Sequence, residues 1–132
     1  MKILGIDYGE KRIGLAVSEG EIARSLTVLQ KSKIPARGGS AWGGKIKELC
    51  DKEGVTKIVI GISEGRTAEK TREFGQELQK ITNLPVEFFD ETLTTQEAIR
   101  KMVEAGTSRK KRREFSDAVS AALILQGYLE NL

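Results

Sequence analysis

Lys2-Ile3-Leu4-Gly5-Ile6-Asp7 leads through Tyr8-Gly9-Glu10-Lys11 into Arg12-Ile13-Gly14-Leu15-Ala16-Val17-Ser18. Two apolar runs flank a cluster of glycine and charged residues, the pattern of two strands joined as a hairpin. Residues 25–30 supply a third strand after the polar turn at Glu19, Gly20 and Glu21, so the chain opens as a three-strand meander. Helix formers at 45–53 then stop at Gly54, a C-cap residue, and the β-branched run 55–62 suits a strand buried on both faces. Phe74, Leu78 and Ile81 at helical spacing predict an amphipathic helix over 67–81, followed by a strand over 86–90 after Pro85. Thr94-Thr95-Gln96-Glu97 fits a capping box opening a helix that stops at Gly106, and a last helix covers 114–129. The order βββαβαβαα reads as an α/β domain, a mixed five-stranded sheet with helices on both faces.

The chain has 132 residues, one domain's worth, and can bury enough surface to fold without a disulfide or structural metal. Its single cysteine, Cys50, cannot form an internal bridge, and in the predicted helix 45–53 it reads as core filler. No apolar run is long enough to span a bilayer, and Asp7 comes too early for a signal peptide. A soluble protein of the cytoplasm with no membrane partner is expected. No histidine is present, which excludes histidine-based triads, a histidine general base and Cys/His zinc sites. Hydrolysis by this chain must run on carboxylates, lysines or metal-bound water.

Charge is unevenly placed. The 22 basic and 19 acidic residues sum to +3, but residues 107–114 carry five positive charges and one negative, so that segment is +4 and the remainder −1. The run Arg109, Lys110, Lys111, Arg112 and Arg113 suits a polyanion, and Lys11 and Arg12 in the first hairpin extend the same character. No aromatic residue interleaves with the run, so it would hold a phosphate backbone without stacking bases. Taken alone, such a run is as often a solvated face.

Three acids have comparable surroundings: Asp7 at the end of the first strand, Glu91 just past the fifth, and Asp117 early in the last helix. Ligands of an open α/β sheet collect beyond the carboxyl ends of its strands, where Asp7 and Glu91 both fall if those strands are parallel. Asp117 shares a helical stripe with Ala121, Ile124 and Tyr128 that should face the sheet. Each acid alone has an ordinary explanation, in turn chemistry, strand-end polarity or the helix dipole. Together, three converging carboxylates would repel one another unless divalent ions, Mg²⁺ or Mn²⁺ by their preference for oxygen, relieved the repulsion.

Gly39-Ser40-Ala41-Trp42-Gly43-Gly44-Lys45-Ile46 comes close to a P-loop, but Ile46 stands where the Mg²⁺-binding hydroxyl belongs. A flexible glycine-rich loop is the preferred reading, with Trp42 either anchoring it or offering a stacking surface. Gly5-Ile6-Asp7-Tyr8-Gly9 is similar to the first phosphate motif of actin-like ATPases, which close two domains around ATP where this length supplies one.

Gly5 to Ser18, Asp90-Glu91-Thr92-Leu93-Thr94-Thr95, Ser108 to Lys111, Asp117 and the run Ala121 to Leu129 together resemble the YqgF/RuvX family, in order and over nearly the whole chain. The resemblance implies an RNase H-like, RuvC-like fold and a metal-dependent nuclease with its acidic site on Asp7, Glu91 and Asp117. It further implies precursor 16S rRNA as substrate, favoured over DNA junctions, with a pre-ribosomal particle as a potential partner. Two other activities stay open: a junction-resolving DNA nuclease on the same acids, and a non-catalytic RNA-binding assembly factor. Thr92 stands where the family has arginine, and Ser63 to Arg66 replaces a longer family loop.

Overall fold

The computed structural model describes residues 1–31, 40–63, 65, 68–91 and 116–132, without the side chains of 40, 41, 116 and 117. Five strands, β1 (Ile3–Tyr8), β2 (Arg12–Glu19), β3 (Ile22–Gln30), β4 (Lys57–Ile62) and β5 (Val86–Asp90), form one sheet in the order β3-β2-β1-β4-β5. The meander is antiparallel, whereas β4 runs parallel to both β1 and β5. The expected mixed sheet is therefore observed, and the parallel relation on which the placement of Asp7 and Glu91 depended holds. The predicted helix 94–106, the basic run 109–113 and Thr92 lie outside the described residues.

Three described helices, α1 (Ser40–Glu53), α2 (Ala68–Thr82) and α3 (Ser116–Glu130), cover the sheet on both sides. Strand alternation sorts the core: Leu4 and Ile6 of β1, with Ile58 and Ile60 of β4, pack with Ile46 and Cys50 of α1 and Phe74 and Leu78 of α2. Ile3 and Val59 point the other way, to Ala121, Ala122, Ile124 and Leu125 of α3.

Helix α1 starts earlier than its helix formers suggest, and this corrects the reading of its glycines as a flexible loop. Gly43 and Gly44 lie inside the helix. A Cβ at Gly43 would come within 2.3 Å of Ile81 Cδ1, so the absent side chain is what lets α1 approach α2. The same helical backbone is incompatible with a phosphate cradle over Ser40 to Ile46. Gly54 ends α1 as expected, at φ 72°. Asn83 plays the same part after α2 with φ 57°, its N–H donating to the Gln79 carbonyl at 2.9 Å.

A buried polar side chain helps to fix α3. Gln126 is fully buried, and its Oε1 accepts the Ala23 N–H at 2.8 Å while Nε2 donates to the Glu21 carbonyl and to Glu130 Oε1, each at 3.0 Å. Such a group is tolerated in an apolar helix face only when its hydrogen bonds are made. No described helix is long and apolar enough to cross a membrane.

Candidate active site

Asp7 sits one residue before the end of β1, paired with Gly14 of β2 and partly buried. Alternation puts it on the face of Ile3 and Gly5, toward α3. Glu91 directly follows β5 and is also partly buried. Strand β4 separates the two, and Gly61 is its residue at that level, since Ile6 pairs with Ile60 and Gly61 with Phe89.

Gly61 is required there. A Cβ on it would meet Ile124 Cδ1 at 2.3 Å and Glu91 Oε1 at 3.0 Å, so the Glu91 carboxyl turns back over β4, toward β1. Burial, and secondarily the neighbouring Asp90, raise the Glu91 pKa above its usual value. Among the described residues, no lysine or arginine pairs with it.

Asp117 is the second residue of α3. The helix runs antiparallel to β1: Ala121 and Leu125 lie against Gly5, and Tyr128 reaches Lys57 and Glu87 at the starts of β4 and β5. Asp117 precedes Ala121 by about 6 Å of helix, and Asp7 follows Gly5 by about 6.6 Å of strand, in the same direction. The start of α3 thus lies toward the same end of the sheet as Asp7, with the Ala118 carbonyl accepting from Ser25 Oγ of β3 at 3.3 Å, while the side chain of Asp117 is outside the described residues. The described side chains alone contain no cluster of three acidic, cysteine or histidine groups able to hold a metal ion. An all-carboxylate set with room made by Gly61 fits a hard divalent cation in donor chemistry.

Of the predicted basic residues, Lys11 and Arg12 are exposed on the hairpin that follows Asp7, where the Gly9 N–H donates to the Arg12 carbonyl at 2.9 Å. Cys50 is buried, and desolvation, followed by Asp51, pushes its thiol to about 11, which matches a core role. Trp42 is partly buried against the core. Lys31 escaped the sequence reading: its Nζ lies 3.9 Å from the Tyr8 ring centroid and 4.6 Å from that of Trp42. Those three residues are far apart in the chain, and no local pattern joins them.

A sheet of order β3-β2-β1-β4-β5, with an antiparallel meander and acids at the carboxyl ends of its parallel strands, defines a single RNase H-like domain of the RuvC-like kind. The chain belongs to the RuvX family, described as Holliday junction resolvase, whose match covers residues 1–131. A protein of Moorella thermoacetica named "Putative pre-16S rRNA nuclease" is 41% identical, with 100% of this chain and 96% of that protein covered. One of the same name from Halothermothrix orenii is 44% identical over 98% of this chain and 94% of its own length. The fold is similar to T. thermophilus RuvC in complex with a Holliday junction, at TM-score 0.62 and 16% identity, covering 99% of this chain and 96% of that one. The fowlpox virus Holliday junction resolvase is similar at TM-score 0.61 and 12% identity, with 100% of both chains covered.

Proposed function

We propose that this protein is a metal-dependent endonuclease that hydrolyses phosphodiester bonds in structured RNA, with precursor 16S rRNA in cytoplasmic pre-ribosomal particles as its substrate. The observation that carries the reading is the Glu91 carboxyl lying over Gly61 of β4, the strand beside the one that carries Asp7 on the α3 face. The name carried by relatives about 40% identical supports RNA as substrate.

Asp7, Glu91 and Asp117 would hold Mg²⁺ or Mn²⁺. When bound, such ions lower the pKa of a water and stabilise the leaving oxygen. Water oxygen bonds to phosphorus, one P–O ester bond breaks, and the two ends leave as a phosphate and a hydroxyl. Glu91 contributes a carboxylate that no cation pairs with among the described residues, and Gly61 keeps space for it over β4. Lys11 and Arg12, with Arg109, Lys110, Lys111, Arg112 and Arg113, hold the phosphate backbone without reading bases.

Purified protein incubated with labelled precursor 16S rRNA and, in parallel, with a four-way DNA junction tests the reading, using Mn²⁺, Mg²⁺ or EDTA and Asp7→Asn as the contamination control. RNA cleavage that needs both metal and Asp7 is expected. Cleavage of the junction alone would transfer the same site to DNA resolution, the activity in the family's description. Salt-sensitive RNA binding without cleavage of either substrate would leave a non-catalytic assembly factor.

A further inference from the structure

Among the described residues two lysines contact tyrosine rings, and they are served differently. Lys57 Nζ lies 5.2 Å from the Tyr128 ring centroid and is also paired with Glu87 at 3.0 Å, so its charge is answered. Lys31 lies between the faces of Tyr8 and Trp42, and among the described residues no carboxylate pairs with it. Ring quadrupoles attract an ammonium without neutralising it, and its N–H donors remain available to an acceptor.

The support beneath this lysine is packed into the core. The Tyr8 ring is stacked on Phe74 with centroids 4.1 Å apart, and Phe74 is buried between α2 and the sheet. The Lys31 N–H donates to the Lys11 carbonyl at 2.9 Å, which ties the end of β3 to the hairpin carrying Lys11 and Arg12. A lysine held by two rings loses less side-chain freedom on meeting an anion than one swinging in solvent. Tyr8 is the residue after Asp7 and faces the opposite side of the sheet, so Lys31 stands behind the carboxylate site and not within it.

We infer that Lys31, seated on Tyr8 and Trp42, is a preorganised contact for a backbone phosphate of the bound nucleic-acid strand, at a position flanking the phosphate that is cut. Lys11 and Arg12 lie exposed on the hairpin to which the Lys31 N–H is tied. A point charge of this kind grips the backbone and carries no base preference. The inference rests on the nuclease reading, since it requires a strand to lie across this hairpin.

Binding of a fluorescently labelled hairpin RNA to the full chain, followed from low to moderate KCl in EDTA so that nothing is cut, tests it. Lys31→Met keeps the aliphatic stem and removes the charge, while Lys31→Arg keeps the charge; thermal melts check that both fold, and Lys31→Gln replaces the methionine variant if it does not. The neutral variant is expected to weaken binding roughly three- to tenfold at low salt and to flatten the log–log salt slope by about 0.7 to 0.9, the share of one phosphate. The arginine variant keeps the wild-type slope. An unchanged affinity and slope in the neutral variant, beside a salt-sensitive wild type, overturns the Lys31 assignment and leaves the nuclease reading standing. A wild type that binds no RNA overturns both.

Discussion

Strand β5 carries a glutamate at each end, and the two are treated in opposite ways. Glu87, near its start, accepts the Tyr128 hydroxyl at 2.7 Å and lies 3.0 Å from Lys57, whose ammonium itself donates to Tyr128 at 2.6 Å. Its pKa is lowered, first by the tyrosine and then by the lysine. Glu91, just past the other end, is partly buried beside Asp90 with its pKa raised and no cation from the described residues. The same helix covers both, presenting Tyr128 at one end of the sheet and Ile124 near the other. The end whose charges are closed among themselves holds the helix in place. The end where Glu91 has no ion pair among the described residues is the one suited to a bound cation.

The sharpest way to break this contrast is Asp7→Asn. Loss of an outer partner of a metal ligand costs 10- to 100-fold, so loss of a ligand should cut RNA cleavage by more than about a hundredfold. Thermal stability in EDTA should barely change; a large fall in melting temperature would make Asp7 a structural residue instead.

Gly61→Ala should come next. The added methyl strikes Ile124 and crowds Glu91, which predicts overpacking of about 1–3 kcal/mol together with weaker Mn²⁺ binding by calorimetry. Gly54→Ala is its control, since a Cβ there meets nothing and only the positive φ is strained. It should lose stability while binding Mn²⁺ normally.

At the closed end, Tyr128→Phe should cost about 1 kcal/mol by denaturant titration, a modest figure because the Glu87 side chain is half exposed. Glu87 is lowered from 4.5 and Lys57 raised from 10.5, so the difference from wild type should hold between those values. It should shrink as pH falls below 4.5 through the lowered Glu87 value, and again as pH rises above 10.5 through that of Lys57.

The smallest effect has the opposite sign. Glu91→Gln removes a carboxylate whose ionisation the fold disfavours, so in EDTA at pH 7 it should melt slightly above wild type. The advantage should vanish on acidification below 4.5, where Glu91 is protonated in folded and unfolded chains alike. Added Mn²⁺ should reverse the order, because binding to the native state stabilises only the chain that keeps the ligand.

The sheet was legible because its strands advertise themselves. β5 falls on the expected residues 86–90, and β1, β2 and β4 differ from their expected spans by one or two residues at an end. The first turn of α1 was hidden, since glycine argues against a helix locally and only contact with Ile81 explains Gly43. Asp7 and Glu91 could be singled out because a topological rule acts on strand order alone. The Lys57–Tyr128–Glu87 group could not, because each member lies on a different element and is unremarkable in its own segment. Gln126 carried a signal that went unread: an amide within the apolar run Ala121 to Leu129 must find partners if buried, and it finds them on Glu21 and Ala23.

That amide also has a bearing on when the protein becomes competent. Gln126 bridges 103 residues of chain to Ala23, and α3 is the last described helix to be synthesised. The meander, α1 and α2 all precede α3 in the chain, and α3 packs on the opposite face of the sheet from α1 and α2. Docking of α3 forms contacts of very long sequence separation, such as Gln126 to Ala23, which a topology-limited search reaches late. On the nuclease reading proposed above, a chain still lacking α3 lacks Asp117, one of the three proposed ligands.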